Sequence, residues 1–309
     1  MRSRSIWRGA TVVALTAVVA GCSGTRPSTA DAVPALGTVA VITSVGQIAR
    51  PTDVYLPTLA QDNEIIKAMN VVQAACMRGF GLPDNPYEVL GLDAVFATRT
   101  SVSDEYGYFG TGNALDQGYD RVTDQAPART NRPALPAASL AVLTGKNRAG
   151  APVTSYLGRT VPAGGCAMYA QDAVGGPLPQ PDISTLPDGG PQIPPTDPRL
   201  VAADARWSAC MAAKGFSYPT PIAAFLDPKW VPQSEAQFQD YTVTPAQIAT
   251  ATADLACKKS TNLVGVAVAV ETAYDKQYIA AHAAALAQFE NQLHDRVAKA
   301  ERIVAGQPA

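Results

Sequence analysis

Charge is scarce in this chain: 16% of its 309 residues are charged, against about a quarter in ordinary soluble proteins. With 47% of residues apolar, the scarcity excludes wholesale disorder and leaves material for sizeable cores. Nor is there a basic excess. Lysine and arginine number 24 and the acids 26, so nothing is available to neutralise a phosphate backbone, and nucleic acid is not an expected partner. Histidine is almost missing. His282 and His294 are the only two, and on one predicted helix they stand about 120° apart around the axis at ~3.6 residues per turn. They cannot face one site together.

Catalytic motifs are also lacking. The chain has no Gly-x-Ser-x-Gly turn, no Ser-x-x-Lys, no His-Glu-x-x-His and no phosphate-cradling glycine loop. Gly145-Lys146 lacks both the upstream glycine and the following Ser or Thr. No two cysteines lie close enough for a zinc or dithiol motif. No catalytic residue, metal ligand or cofactor is therefore assigned, and the chain is expected not to be an enzyme. Its 26 acids leave one enzymatic route open, a hydrolase of wall polymers with two close carboxylates in a deep cleft.

What is present begins at the amino end. Residues 1–21 read as an export signal: Arg2, Arg4 and Arg8 precede an unbroken run of small and apolar residues from Ala10 to Ala20. That run suits a signal-peptide core of about 7–15 residues and is too short for the ~20 that a membrane span needs. It ends in Val19-Ala20-Gly21-Cys22, which resembles the bacterial lipobox. The resemblance implies cleavage before Cys22 and a diacylglycerol on its sulfur, hence a protein lipid-anchored on the extracytoplasmic face of the cell membrane. Loss of the three signal-peptide arginines takes the formal charge from −2 to −5, which disfavours lying flat on an anionic leaflet.

Residues 22–60, rich in Ser, Thr, Pro, Gly and Ala, read as a flexible tether, with room for a short strand near Thr38 to Thr43. A first module is expected over residues 61–174, starting with a helix from Gln61 to Arg78 that Gly79 stops. Eight prolines from Pro177 to Pro198 make residues 175–198 an extended linker or a surface-wrapped loop. A second module covers residues 199–305. Its first helix, Pro198 to Lys214, has Asp197 as cap and Gly215 past its end. Thr244-Pro245-Ala246-Gln247 reads as a capping box, and Ser260 to Asn262 as a break. A stripe from Ile279 through Leu286, Leu293 and Ala300 to Val304 follows, and a helix from Asn262 to Val304 would be about 65 Å long at ~1.5 Å per residue. Part of such a helix should project, pair with another helix of the chain, or meet a partner. The fold expected is mainly α, two disulfide-stapled helical modules joined by the proline-rich linker.

The two helix ends look related. Ala75-Cys76-Met77 leads to Gly79-Phe80, and Ala209-Cys210-Met211 leads to Gly215-Phe216, a degenerate duplication with unequal spacing. With Cys22 lipidated, Cys76, Cys166, Cys210 and Cys257 can pair in three ways. The two-half organisation favours Cys76 with Cys166 and Cys210 with Cys257. As closures of loops 90 and 47 residues long, these bonds would stabilise by roughly 4 to 5 kcal/mol each.

Trp207-Ser208 with Cys210-Met211 and Gly215-Phe216-Ser217-Tyr218-Pro219, Val161-Pro162-Ala163-Gly164-Gly165-Cys166, and Ala253-Asp254-Leu255-Ala256-Cys257-Lys258 with Thr261-Asn262-Leu263-Val264 together resemble actinobacterial secreted lipoproteins of unknown function. The resemblance covers most of Gln61 to Val304 and implies no chemistry. The expected function is non-catalytic engagement of an envelope protein partner, with the outer stripe of the terminal helix as docking surface. The alternative is a ligand-binding lipoprotein, taking a cell-wall or small-molecule ligand and associated with a transporter. Its recognition loop would be Tyr106, Tyr108, Phe109, Asp116 and Tyr119, whose rings could stack on a sugar and whose acids could hold calcium.

Overall fold

Seven helices occur among the described residues, which in the computed structural model are 33–87, 89, 106, 109, 118–119, 135–230 and 242–307. They are α1 (Leu59–Gly79), α2 (Ala137–Thr144), α3 (Gly165–Ala173), α4 (Pro198–Ala213), α5 (Pro221–Phe225), α6 (Pro245–Thr261) and α7 (Leu263–Val304). A two-stranded antiparallel hairpin, β1 (Ser155–Tyr156) and β2 (Arg159–Thr160), lies between α2 and α3. The fold is mainly α, as the sequence predicts.

The starts of α4 and α6 fall where predicted, and α1 begins two residues before the expected Gln61, each for a local reason. Thr58 and Gln61 close a capping box on α1, with the Gln61 Oε1 accepting the Thr58 N–H at 2.8 Å. Asp197 caps α4 by accepting the Arg199 N–H at 2.9 Å, and Thr244 caps α6 by accepting that of Gln247 at 3.2 Å. Asn262, in the left-handed conformation at φ 50°, is the joint between α6 and α7. Gln247 itself is buried, packed beside Gly118.

Helix α7 is the spine. Its 42 residues extend over about 63 Å at ~1.5 Å each, with a break in the helical backbone at His282 (φ −115°, ψ 18°). Of the three fates open to such a length, the chain uses the second: α7 pairs with α1 along one part and with α4 and α6 along another. Its start joins a core of Trp207, Met211, Phe225, Trp230, Ala251, Cys257, Leu263 and Val264. Its middle, Tyr278 and Leu286, meets Leu56 and Leu186. Its end, Ala300 and Ile303, packs with Ile65, Ala68, Met69, Ala170 and Val174, next to a cluster of Met77, Val142, Leu143, Val161 and Cys166. Each fully buried aliphatic or aromatic side chain stabilises by about 1.5–3 kcal/mol, so every part of the spine is held.

Two of these four clusters carry a disulfide: Cys76–Cys166 joins α1 to α3 beside Met77, and Cys210–Cys257 joins α4 to α6 beside Trp207, both with Cα atoms 5.7 Å apart. The pairing favoured by the two-half organisation is the one present.

Two expectations need correction, and between two readings of a third segment the structure decides. The tether cannot extend to residue 60, because Ile42, Arg50, Thr52 and Leu56 are buried and Pro34–Ala309 belong to one compact unit. No strand forms near Thr38 to Thr43; instead the Asn262 side chain takes the part of a neighbouring strand, donating to Ala40 O at 2.9 Å and accepting the Ile42 N–H at 3.1 Å. Gly265 permits this approach, since a Cβ there would collide with Ala40 O. Of the two readings of residues 175–198, the surface-wrapped loop is the one present: Leu186 is buried against the middle of α7, and Tyr278 donates its hydroxyl to Pro187 O at 2.6 Å.

Candidate functional site

The chemistry-bearing side chains gather in buried ionic clusters along α7 and its neighbours. In the first, the Arg50 guanidinium forks onto Asp275, with Nε and Nη2 donating at 3.1 and 2.7 Å, and the Thr52 hydroxyl donates to Asp275 Oδ2 at 3.0 Å. Glu271, one turn earlier on α7, has its Oε2 3.7 Å from Arg50 Nε and accepts the Tyr106 hydroxyl. All these side chains are buried. Removing one partner from such a cluster strands a charge and costs about 3–5 kcal/mol.

In the second cluster Lys258 Nζ donates to Asp254 Oδ2 at 2.7 Å, and Trp207 Nε1 donates to Asp254 Oδ1 at 2.9 Å. Both ions are fully buried. Burial pushes the Asp254 carboxyl up and the Lys258 ammonium down, each against the opposing charge of its partner. The Tyr119 phenol is raised as well, by burial and by the negative charge of Asp254.

The third cluster joins α4 to α7 and to the incoming chain. Arg199 donates to the two oxygens of Asp197 at 2.9 and 2.6 Å and to Pro34 O at 2.7 Å, while the Tyr274 hydroxyl donates to Asp197 Oδ2 at 3.1 Å. The bonds from Arg199 above all hold the Asp197 carboxyl down at about 2. Farther along, Arg296 donates to the carbonyls of Val174, Gly176 and Pro177 and closes the end of α3. Asp62 on α1 is buried with its Oδ1 lacking any hydrogen bond, and burial raises its carboxyl to about 6 although the Arg296 charge pulls it down.

At the break in α7, His282 stacks on Tyr278 with ring centroids 4.4 Å apart. Its Nδ1 lies 2.9 Å from Tyr278 O and its Nε2 3.4 Å from the exposed Asp188 carboxylate. His294 is exposed, and the two histidines do not share a site.

The hydrolase route asked for two close carboxylates in a cleft. Glu271 and Asp275 are close, yet they lie in the interior, clamped by Arg50. The recognition-loop reading is corrected for three of its residues. Tyr106, Phe109 and Tyr119 are buried in the core around Trp207, with Tyr119 edge-on to Phe225 at 5.7 Å, so their faces are not available to stack on a sugar. Tyr108 and Asp116, like Val19, Ala20, Gly21 and Cys22, lie outside the described residues. The docking stripe is corrected too: Leu286, Leu293 and Ala300 are buried and Ile279, Phe289 and Val297 half-buried, leaving Ala283 and Val304 exposed, because α1 and the proline-rich segment cover the stripe.

Sequence reasoning missed Arg50 and Thr52, which it placed in the tether. The available signal was isolation: residues 32–49 contain no charge, so Arg50 interrupts an uncharged stretch, as a residue with a buried partner does.

Among the described residues no group of three or more His, Cys, Asp or Glu is placed to hold a metal ion, and no helix is long and apolar enough to cross a membrane. Compared with known proteins, the chain matches no family model, no curated protein and no solved structure.

Proposed function

We propose that the chain is an extracytoplasmic lipoprotein, fastened to the membrane by acyl chains on Cys22, that acts without catalysis by engaging a protein partner in the cell envelope. One observation carries the reading. Four of the five cysteines are joined as Cys76–Cys166 and Cys210–Cys257, which suits a compartment outside the cytoplasm. The fifth is Cys22, and it stands where the apolar run ends in Val19-Ala20-Gly21. Two or more acyl chains there would hold the chain stably, where one would not.

A partner is favoured over a reaction because the buried ionic clusters each tie two or more elements of the fold together. A surface for that partner is offered by the Cys76–Cys166 half. Leu157 occupies the turn between β1 and β2 at φ 48° and is 81% exposed, and Met168 and Tyr169 on α3 are exposed as well. A leucine in the left-handed region costs about 1–2 kcal/mol and gains nothing there from burial, whereas glycine or asparagine would suit the turn better.

Cys22→Ser should move the chain from the membrane to the soluble fraction. A photo-cross-linker at position 157 should capture one envelope protein in situ, and the same linker at the exposed Ala284 on α7 should not. Unchanged fractionation overturns the anchor; equal capture from both positions overturns the docking surface.

A further inference from the structure

We infer that the edge formed by Leu36, Val39 and Val41 is the surface of the folded unit that rests on the lipid bilayer. The inference builds on the anchoring reading and says which side of the protein the anchor turns toward the membrane.

The edge is apolar and open. Leu36 and Val39 are each 37% exposed and Val41 is 68% exposed, although the chain around them is firmly held. Arg199 grips Pro34 O, Asn262 pins Ala40 O and the Ile42 N–H, and Ile42 is buried in the core at the start of α7. The Ile42 side chain is buried, so in an extended chain of period two Val41 points to the opposite side and Val39 shares that side. Val39 and Val41 therefore stand out together from a segment that has no freedom to turn them inward, and Leu36 is exposed three residues before them.

Charge singles out the same edge. No charged residue occurs from 32 to 49, while the mature chain has a formal charge of −5. An anionic leaflet repels such a protein, least where it carries no acid.

Chain length brings the edge to the bilayer. Eleven residues, Ser23 to Val33, separate Cys22 from Pro34. At ~3.3–3.6 Å each they reach no farther than about 40 Å. Helix α7 starts beside Ala40 and Ile42 and its 42 residues extend over about 63 Å, farther than eleven residues reach. Once the acyl chains are inserted, contact by the edge is an intramolecular event and needs little affinity of its own. The acyl chains supply attachment, and the edge supplies orientation.

The test uses the acylated full-length protein in vesicles of phosphatidylglycerol and phosphatidylethanolamine with brominated acyl chains, which quench tryptophan on contact. Val39→Trp, Val41→Trp and Leu157→Trp are compared, each corrected for the wild-type signal, and vesicle co-sedimentation is read on the same samples. Exposure of all three positions makes the substitutions tolerable. Quenching severalfold stronger at positions 39 and 41 than at 157 is the expected result. Co-sedimentation without that excess overturns the inference and leaves the anchor standing. Failure to co-sediment overturns the anchor, and the inference with it. A soluble form lacking Cys22 that dimerises, and is returned to monomer by Val41→Asp, also overturns the inference, because the edge would then belong to a second copy of the chain.

Discussion

The ends of α1 and α4 repeat one construction with different contents. After Met77 the chain turns left-handed at Gly81 (φ 71°), and the Leu82 N–H donates back to Met77 O at 3.1 Å; after Met211 it turns at Gly215 (φ 89°), and the Phe216 N–H donates back to Met211 O at 3.0 Å. Cys-Met, three residues, glycine, apolar residue is thus the same spacing in both. Gly79 is the last residue of α1, and the counterpart of Gly215 is Gly81. Three residues before each cysteine a buried side chain donates a hydrogen bond: Trp207 to Asp254 in the second half, Gln73 to Asp84 and to Asn85 O in the first. The backbone device is shared while the buried polar contact differs. Disulfide and turn define the module, and the residue inside it is free to vary.

The largest effects should come from the staples. Replacing both cysteines of Cys76–Cys166 by alanine is expected to cost about 4–5 kcal/mol, and of Cys210–Cys257 about 4 kcal/mol, since the second loop is shorter. Denaturant unfolding of the two variants checks the order; a reversed order would show that the halves are not equivalent modules. Next come the interior contacts. Asp254→Ala should cost about 3–5 kcal/mol by removing the carboxylate that faces the buried Lys258 ammonium, whereas Gln73→Ala, which removes the donor to Asp84 and to Asn85 O at the surface-facing end of the contact and leaves a small cavity, should cost about 2–3 kcal/mol.

Asp62 supplies a pH test confined to the first half. Its carboxyl is raised from 3.8 to about 6 in the fold, so between those values the folded chain binds more protons than the unfolded one. Stability from this group is therefore full below about pH 4 and is lost as pH rises through about 6. Asp62→Asn should remove that slope and leave the variant about 2–3 kcal/mol more stable than wild type at pH 7. A slope that persists in the variant would locate the proton elsewhere.

The smallest effects decide the alignment of the two ends. Gly81→Ala and Gly215→Ala should each cost about 1 kcal/mol, since both glycines have positive φ and nothing within 4 Å of an added Cβ. Gly79→Ala, helical and equally open, should instead stabilise by about 0.5–1 kcal/mol. Thermal melts that show Gly79→Ala and Gly81→Ala moving in the same direction would contradict the register.

Helices α1, α4, α6 and α7 were legible from caps and apolar spacing: Asp197 and Thr244 at the starts of α4 and α6, and stripes such as Ile65-Met69 along the bodies, while the Thr58 cap of α1 was overlooked. Helices α2 and α3 were not. They have only 8 and 9 residues, and α3 opens on Gly164 and Gly165, both at positive φ, where no capping side chain announces it. The glycine register was in the spacing all along but hidden by Gly79-Phe80, which imitates Gly215-Phe216 two residues early. Long-range placement was hardest. That Tyr106, Phe109 and Tyr119 enter the core of the second half depends on contacts across more than a hundred residues, which neither periodicity nor local composition encodes. The same holds for Arg50 and its partner Asp275 in α7.

Intact mass spectrometry of the chain extracted from its native membrane tests the central claim most directly. The account predicts a polypeptide beginning at Cys22, heavier by its acyl chains and lighter by the hydrogens of two disulfides. A chain that begins elsewhere, or one that carries an unmodified Cys22, would contradict it.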